Sequence, residues 1–594
     1  MWMLSVSLSI GAVLLSIAAA LVLNRTEATR GKISTINILL IGVFFSSLVL
    51  FLPANGQSDG AMMHGWRVLL LSVLDAMKVF GGGGEYGTIA GSLENCSTLQ
   101  RGIFLTWAVT LFVYAPVLTF SFVLSLFRNL SAFCRYALVM CKDVYIFSEL
   151  NDQALTLADD LKKNHKKAAV AFTGVSEGGD EKAGQRIEKA KKMGAICFKK
   201  PILAIAFRFH APGKKITFFT IGRDETENQE QALKLIEKYR DRANTHLYVF
   251  TTKVDGQLLL ADIDKGSMKV RRVNPIQSLI HSLLYEHGQS VFEKAVPAAD
   301  GVKDITAVVV GMGGHGTEMV KALAWFGQMD GYRITIHAFD KDPLAEEKFT
   351  ALAPELMSPD YNGVSVEGEA QYTIAIHSGM DVSTATFAKT VSALKGASYV
   401  LVALGDDDEN VGTAVNLRML FERIGAHPAI QAIVYNSTQK NALAGIRNYG
   451  GQPYNIEFIG DMESIFAEKV ILESQMEARA LERHLKWGEE EEFWTYEYNY
   501  RSSVATAIHM KARILCGIPG AAKAEGDLTE TERDIIEVLE HRRWNAYMRS
   551  EGYVFSGSTD KSSRNDLAKM HHDLVDFSTL SEEEKRKDSA VGTY

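Results

Sequence analysis

Residues 1–130 of this 594-residue chain carry 12 charged side chains, and the other 464 carry 122. That break constrains the fold more than any other feature. A stretch so poor in charge is solvated by lipid, while the remainder has an ordinary soluble density. A wholly water-soluble enzyme is excluded, and so is a disordered chain. The 63 basic and 71 acidic residues give a net charge of −8 with no basic tract. Nucleic acid is therefore excluded as a principal partner, because counterion release needs clustered Lys and Arg. The five cysteines (Cys96, Cys134, Cys141, Cys197 and Cys516) are scattered without a C-x-x-C pair. Neither a disulfide framework nor a zinc knuckle is expected, and the bulk of the chain reads as cytoplasmic.

Residues 4–23, 33–58 and 102–127 are each free of charge and long enough to span the hydrocarbon of a bilayer as helices. Nothing is charged before Arg25, so the first segment reads as a retained anchor rather than a cleaved signal. Arg25, Arg30 and Lys32 lie between spans one and two, and Arg128, Arg135 and Lys142 follow span three. The positive-inside rule puts both groups in the cytoplasm of a cell (inner) membrane, with the N-terminus outside and residues 131–594 inside. No ionisable residue lies within the spans, unlike a proton-coupled transporter. Three helices do not enclose a path, so conduction would require a homo-oligomer.

Between spans two and three, WRVLLLSVLDAMKVF (66–80) is too short and too charged to cross. Its polar residues Arg67, Ser72, Asp75 and Lys78 fall on one side of a helix, and Gly81 to Gly84 follow. Two readings stay open: a re-entrant pore helix over 66–82 with a Gly-rich turn, or an interfacial helix in an external loop. The TVGYG potassium filter is absent. Pro116 in span three is either a kink in a pore-lining helix or an ordinary membrane proline.

From Val144 short β-branched runs alternate with charged amphipathic segments, the signature of parallel α/β units. One copy (142–290) places strands near 144–148, 168–173, 195–199, 216–221 and 246–251. A second (303–488) places them near 305–310, 333–339, 372–377, 398–404 and 430–435, followed by a long helix near 461–487. Each has a similar phrase after its fourth strand: Gly222 to Asn228 (GRDETEN) and Gly405 to Asn410 (GDDDEN), an internal repeat. In copy two, Gly311, Gly313 and Gly316 stand between strand and helix as G-x-G-x-x-G, with Asp340 24 residues after Gly316. The glycines suit a tight turn, approach of a pyrophosphate and close helix packing. Asp340 suits ribose hydroxyls. A structural turn without a ligand is the competing reading. Thr317 stands where a Walker lysine belongs, which excludes a P-loop. Copy one has Ser148-Glu149-Leu150-Asn151 instead, with a carboxylate at the phosphate position, and no dinucleotide is expected there.

The strand order, the GMGGHG turn and the GDDDEN phrase resemble the NAD-binding regulatory (RCK) domains of potassium channels and Trk-type uptake systems, specifically in copy two and weakly in copy one. The resemblance implies NAD or a related adenine nucleotide as cofactor, and paired domains in a cytoplasmic ring that pull on a pore.

Glu489 to Glu492 read as a solvated linker. In residues 489–594, Thr529-Glu530-Thr531-Glu532 has the form of a capping box opening a helix with Ile535, Ile536, Leu539, Trp544 and Met548 on one stripe. His541, Trp544, Gly552, Tyr553, His571, Leu574, Val575, Leu580, Glu584 and Lys585 resemble the repeat domain of ryanodine receptors (RyR domain). The chain departs from its pattern at His572, where Pro is usual, and at Tyr553, where Trp is usual. The resemblance implies a sensor of a small nucleotide, in bacterial versions a defence messenger. The residues admit this: Trp544 or Tyr553 to stack a base, Arg542 or Arg543 to hold a phosphate, and His541 beside them. The competing readings are core roles for Trp544 and His541. His571 and His572 are expected to point apart and to bind no metal.

The expected fold class is thus an α-helical membrane region (1–130) plus α/β: two tandem Rossmann-like parallel-sheet domains and a small, mainly helical C-terminal domain. No catalytic constellation is found, so no enzyme is expected. The leading expectation is an oligomeric, ligand-gated membrane protein in contact with the lipid bilayer. The alternative is a membrane-anchored regulatory subunit that forms no pore. The topology is testable: cysteines placed at residues 59 and 30 are expected to react with an impermeant maleimide from opposite faces, residue 59 from outside. Labelling from one side would break the three-span arrangement.

Overall fold

The computed structural model describes residues 2–592, apart from 26–34, 58–64, 95, 127, 177–180, 208–209, 253–262, 358–371, 447, 450 and 473–474. The chain divides into two units, Met1–Ala137 and Leu138–Tyr594. Arg30, Lys32 and Asp59 lie outside the described residues.

In the first unit, α1 (Trp2–Arg25), α2 (Thr35–Gln57) and α5 (Thr98–Leu126) each contain a stretch long and apolar enough to cross a membrane. Small polar residues bring α1 and α2 together. Ser5 Oγ donates to Val49 O (2.6 Å), Ser9 Oγ to Ser46 O (2.9 Å), and the indole N–H of Trp107 on α5 to Ser9 Oγ (2.8 Å). A Cβ on Gly42 would lie 2.3 Å from Ser16 Cβ, so the two helices touch where neither has bulk. Close approach and interhelical hydrogen bonds are what hold helices where lipid removes the hydrophobic drive. The helix α5 runs through Pro116 without interruption.

The helix α3 (Gly65–Phe80) is turned inside out relative to a helix in water. Ser72 and Asp75 are buried, whereas Trp66, Leu70, Leu74 and Met77 are exposed. Asn55 Nδ2 on α2 donates to Ser72 Oγ (3.2 Å) and to Asp75 Oδ2 (3.0 Å). Lys78 Nζ lies 3.1 Å from both Asp75 Oδ1 and Glu85 Oε1. The glycine run ends this helix: Gly82 has φ +82, and Gly84 packs so closely on Phe112 that a Cβ would sit 2.6 Å from its ring. The short α4 (Tyr86–Ser92) follows.

The second unit holds two parallel sheets of one topology. Copy one contributes Val144–Phe147, Ala169–Phe172, Ile196–Cys197, Ile216–Thr220, Thr245–Phe250 and Lys269–Val273. Copy two contributes Lys303–Val310, Tyr332–Phe339, Tyr372–His377, Ala397–Val402, Ala429–Ile433 and Ile456–Ile459. In each sheet the spatial order is third, second, first, fourth, fifth, sixth, and a two-residue strand, Val296–Pro297, adds antiparallel to the second sheet. Ten strands fall where the hydrophobic runs place them, and the sixth of each sheet is additional. Lys269–Val273 is charged at Lys269, Arg271 and Arg272, which hides a strand from any apolar pattern. The long helix expected near 461–487 is instead broken into Met462–Ile465, Glu468–Ile471 and Gln475–His484.

The repeated phrase is a pair of staples. Asp224 and Asp406 cap the helices Glu225–Tyr239 and Asp407–Arg423. The side chain of Asn228 accepts from Gly222 N (2.6 Å) and donates to Phe250 O (2.9 Å). Asn410 accepts from Leu404 N (2.7 Å) and donates to Ile433 O (2.9 Å). Each Asn joins the ends of the fourth and fifth strands, satisfying backbone that the sheet leaves open.

Beyond residue 488 the chain is mainly helical: Glu490–Thr495, Glu497–Leu515, Glu530–Ser550 and Glu582–Gly592. The acidic run is no linker. Glu489 and Glu492 form a capping box on a helix whose Phe493 is buried. The expected box at Thr529 and Glu532 is present on Glu530–Ser550, where Ile536, Leu539 and Met548 are buried. These helices share one core with the sheets, and Trp325 of copy two packs edge-to-face on Tyr547 (6.1 Å).

Candidate functional site

In copy two the glycine turn leads from Lys303–Val310 into the helix Gly314–Phe326. Gly311 has φ +94, and a Cβ there would lie 2.4 Å from Ala403 O. A Cβ on Gly316 would lie 1.7 Å from Gly311 O. The fold itself demands these two glycines. Gly313 differs: its backbone is extended, and no atom lies within 4 Å of an added Cβ. Gly313 is the N-cap residue and offers no side-chain acceptor to the first-turn amides, so the helix N-terminus is open to an anion. Asp340 lies at this turn, accepting from Met312 N with Oδ2 (2.6 Å) and from Asp342 N with Oδ1 (2.8 Å). The four residues expected to act together are thus brought together.

The corresponding place in copy one is filled by the chain. Asn151 Oδ1 caps the helix Asp152–Asn164 through Ala154 N (2.8 Å), Ser148 Oγ accepts from Ile221 N (3.0 Å) and Glu149 accepts from Arg223 N (3.1 Å). A cleft of about 520 Å³ opens beside it toward His315 and Tyr435 of copy two. Arg186 pairs with Asp152 (2.8 Å), and Glu225 accepts from Thr251 and Thr252.

The C-terminal module contains a cavity of about 470 Å³. His541, Arg543 and Trp544, all on Glu530–Ser550, line it. Two of the expected contacts lie elsewhere. Tyr553 is buried against Tyr498 (5.9 Å), and Arg542 faces Asp330, with burial depressing its pKa below the ordinary guanidinium value. His541 is pinned, its Nε2 2.8 Å from Val575 O and its Nδ1 3.3 Å from Asp588. Trp544 meets His571 edge-to-face (4.9 Å).

Sequence reasoning missed Ser503, Tyr498, Arg564 and Lys561, which line the same cavity from the helix Glu497–Leu515 and the loop after Phe555. No local pattern joins them, because the fold alone brings them together. His571 and His572 also line it, and they do not point apart: their rings stack at 4.6 Å, with ligand atoms of His571, His572 and Asp573 within 4.8 Å of one another. Burial, then the Arg564 charge, pushes His571 down to about 3.

The electrostatics are set by Glu540, which bonds both Arg513 and Arg543, all three buried. Burial alone would raise its pKa, but the two guanidiniums bring it below the ordinary carboxylate value. The cavity lining carries Arg483, Arg543, Lys561, Arg564 and Lys587 alongside Glu540, Asp573, Glu584 and Asp588, so opposite charges are nearly balanced.

No protein-family model and no curated protein matches this chain.

Two expectations follow from the geometry. Gly316→Ala is expected to destabilise the protein by about 3 kcal/mol, because the new methyl overlaps backbone, whereas Gly313→Ala stays within about 1 kcal/mol. Melting temperatures of the two variants distinguish them. The second concerns acid. His281 and His571 are each pushed down to about 3, mainly by burial, so below about 6.5 the unfolded chain takes up protons that the folded chain refuses. Stability is therefore full above the unfolded value and falls as the pH drops toward 3. His571→Phe should make the decline in melting temperature between pH 7 and 5 shallower, and an unchanged slope would refute the assignment.

Proposed function

We propose that this chain is a ligand-gated membrane protein: an oligomeric pore former, opened by a nucleotide-type signal sensed by two cytoplasmic Rossmann-like (RCK-like) copies and a RyR-like C-terminal module. The observation that carries the pore reading is α3, which buries Ser72 and Asp75 on Asn55 while Leu70, Leu74 and Met77 face outward. A helix of that polarity is adapted to lipid or to a second copy of itself. After its Gly82 turn and the short α4 the chain enters α5. The open helix N-terminus at Gly313 fits the pyrophosphate of NAD or a related adenine nucleotide. The aromatic-lined cavity that holds Arg543 and Trp544 fits a second nucleotide.

The test is ion flux through liposomes containing the purified protein, with NAD and a panel of nucleotides added from the side of residues 131–594. Ligand-dependent flux is expected, and Trp544→Ala should raise the activating concentration about tenfold or more, the effect of removing one stacked ring. NAD should raise the melting temperature of the parent protein and of Gly313→Ala but not of Gly313→Asp. Binding without flux under any condition would favour an anchored regulatory subunit that forms no pore.

A further inference from the structure

We infer that the ligand of the glycine turn is shared between the two Rossmann-like copies. It is a dinucleotide with one ring system beside Asp340, its pyrophosphate on the turn at Gly313, and its other ring in the cleft of about 520 Å³ lined mainly by copy one. This rests on the reading of that turn as a nucleotide site, and adds the second half of the ligand and the copy that receives it.

Strand order fixes the direction. In the second sheet the second strand lies on one side of the first, and the fourth, fifth and sixth lie on the other. The turn at Gly313 follows the first strand, and Asp340 follows the second. The copy-two residues in the cleft come from the turn and from the side opposite Asp340. His315 belongs to the first helical turn, Tyr435 follows the fifth strand, and Met462, Ile465 and Phe466 follow the sixth. A ligand with a ribose on Asp340 and phosphate on the turn therefore sends whatever follows the phosphate into this cleft. Copy one closes in at the same point. Its helix Pro275–His287 starts beside the turn, where Ile276 Cδ1 lies 2.7 Å from the position of a Cβ on Gly314, and Ile276 also lines the cleft. Asp407 accepts from the amides of Tyr435 (2.9 Å) and Asn436 (2.8 Å), which holds Tyr435 at the lip with its hydroxyl 3.0 Å from His315 Nε2.

The lining indicates what that second half is. Arg186 and Arg223 are balanced by Asp152 and Glu225, so the cleft offers no excess charge to a further phosphate. Phe250, Ile276, Ile465 and Phe466 supply apolar wall. Arg186 is already paired with Asp152, and Glu225 is held by Thr251 and Thr252. Arg223 is exposed and its guanidinium is in no ion pair among the described residues. It is free to stack on a planar ring or to donate to a carboxamide oxygen. Apolar walls with a few polar groups at the edge suit a flat heterocycle, either a base or a nicotinamide. A mononucleotide ends at the turn. A dinucleotide is gripped by both copies, and so favours the arrangement in which they face each other across it.

Calorimetry on the full-length protein in detergent tests this with NAD, NADH, ADP-ribose, ADP and AMP. Affinities are compared for the binding that Gly313→Asp abolishes, which sets the C-terminal cavity aside. NAD and NADH are expected to bind about tenfold tighter than ADP-ribose, which lacks only the second ring. Gln153→Trp puts an indole into the cleft from an exposed position on copy one. It should erase that margin while leaving the affinities for ADP and AMP unchanged. Arg223→Ala should reduce the margin several-fold. Both side chains are exposed, so the unliganded melting temperature of each variant should match that of the parent. Equal affinity for NAD, NADH and ADP-ribose, untouched by either variant but lost in Gly313→Asp, would overturn the shared site and leave the turn standing as a nucleotide site. Absence of any binding that depends on Gly313 would overturn this inference and the nucleotide reading of the turn together.

Discussion

Two guanidiniums sharing one carboxylate hold the C-terminal module together. Arg513 on the helix Glu497–Leu515 and Arg543 on Glu530–Ser550 both bond Glu540, and Arg513 Nη1 also reaches Gly592 O at the end of the last helix (3.2 Å). Three helices are thereby fixed by one buried cluster of charge. Removing one partner of such a cluster typically costs about 3–5 kcal/mol, because the others are left uncompensated out of water. The same helices are tied to the sheets by Arg272 with Glu497 (2.6 Å) and by Phe326 against His509 (6.1 Å).

A different economy governs the carboxyl ends of the sheets. Four backbone ends per copy need partners, and both copies meet that need with the same Asp cap and Asn staple at Asp224 with Asn228 and at Asp406 with Asn410. The copies diverge at the first turn. Copy one closes its helix with Asn151 and sets Glu149 and Ser148 across the gap, whereas copy two leaves the amides after Gly313 uncapped. A duplicated scaffold has been finished internally in one half and left open in the other.

How much of this is legible from sequence depends on whether the cause is local. Apolar runs reveal the first five strands of each sheet, and charge depletion reveals α1, α2 and α5, because both signals come from burial along contiguous residues. The strand Lys269–Val273 is hidden because Arg271 and Arg272 are neutralised by Glu477 and Glu497, which lie more than 200 residues away. Arg543 and Trp544 are found by their neighbours on one helix, whereas Ser503 enters the cavity from another, so no spacing announces it. Two of the three turn glycines are explained by contact with Ala403 and Gly311, and only Gly313 needs a reason outside the chain. That distinction requires coordinates, since all three look alike in the motif.

The helix Gly314–Phe326 joins the two open sites. Its N-terminus is the uncapped turn at Gly313, and its last residues, Trp325 and Phe326, pack on Tyr547 and His509. Tyr547 lies one turn beyond Arg543 on the same helix, and Arg543 also stands over its ring at 5.8 Å. His281 of copy one touches Trp325 edge-to-face (6.1 Å), so the last turn is gripped from both sides. A close-packed helix held in this way moves as a body rather than bending residue by residue. A ligand that shifted its N-terminus would therefore press on the packing around Tyr547, and by linkage any such coupling would be reciprocal. The physical warrant for such coupling is a shared rigid element, and here that element is 13 residues long, with the glycine turn at its start and Tyr547, one turn from Arg543, packed at its end.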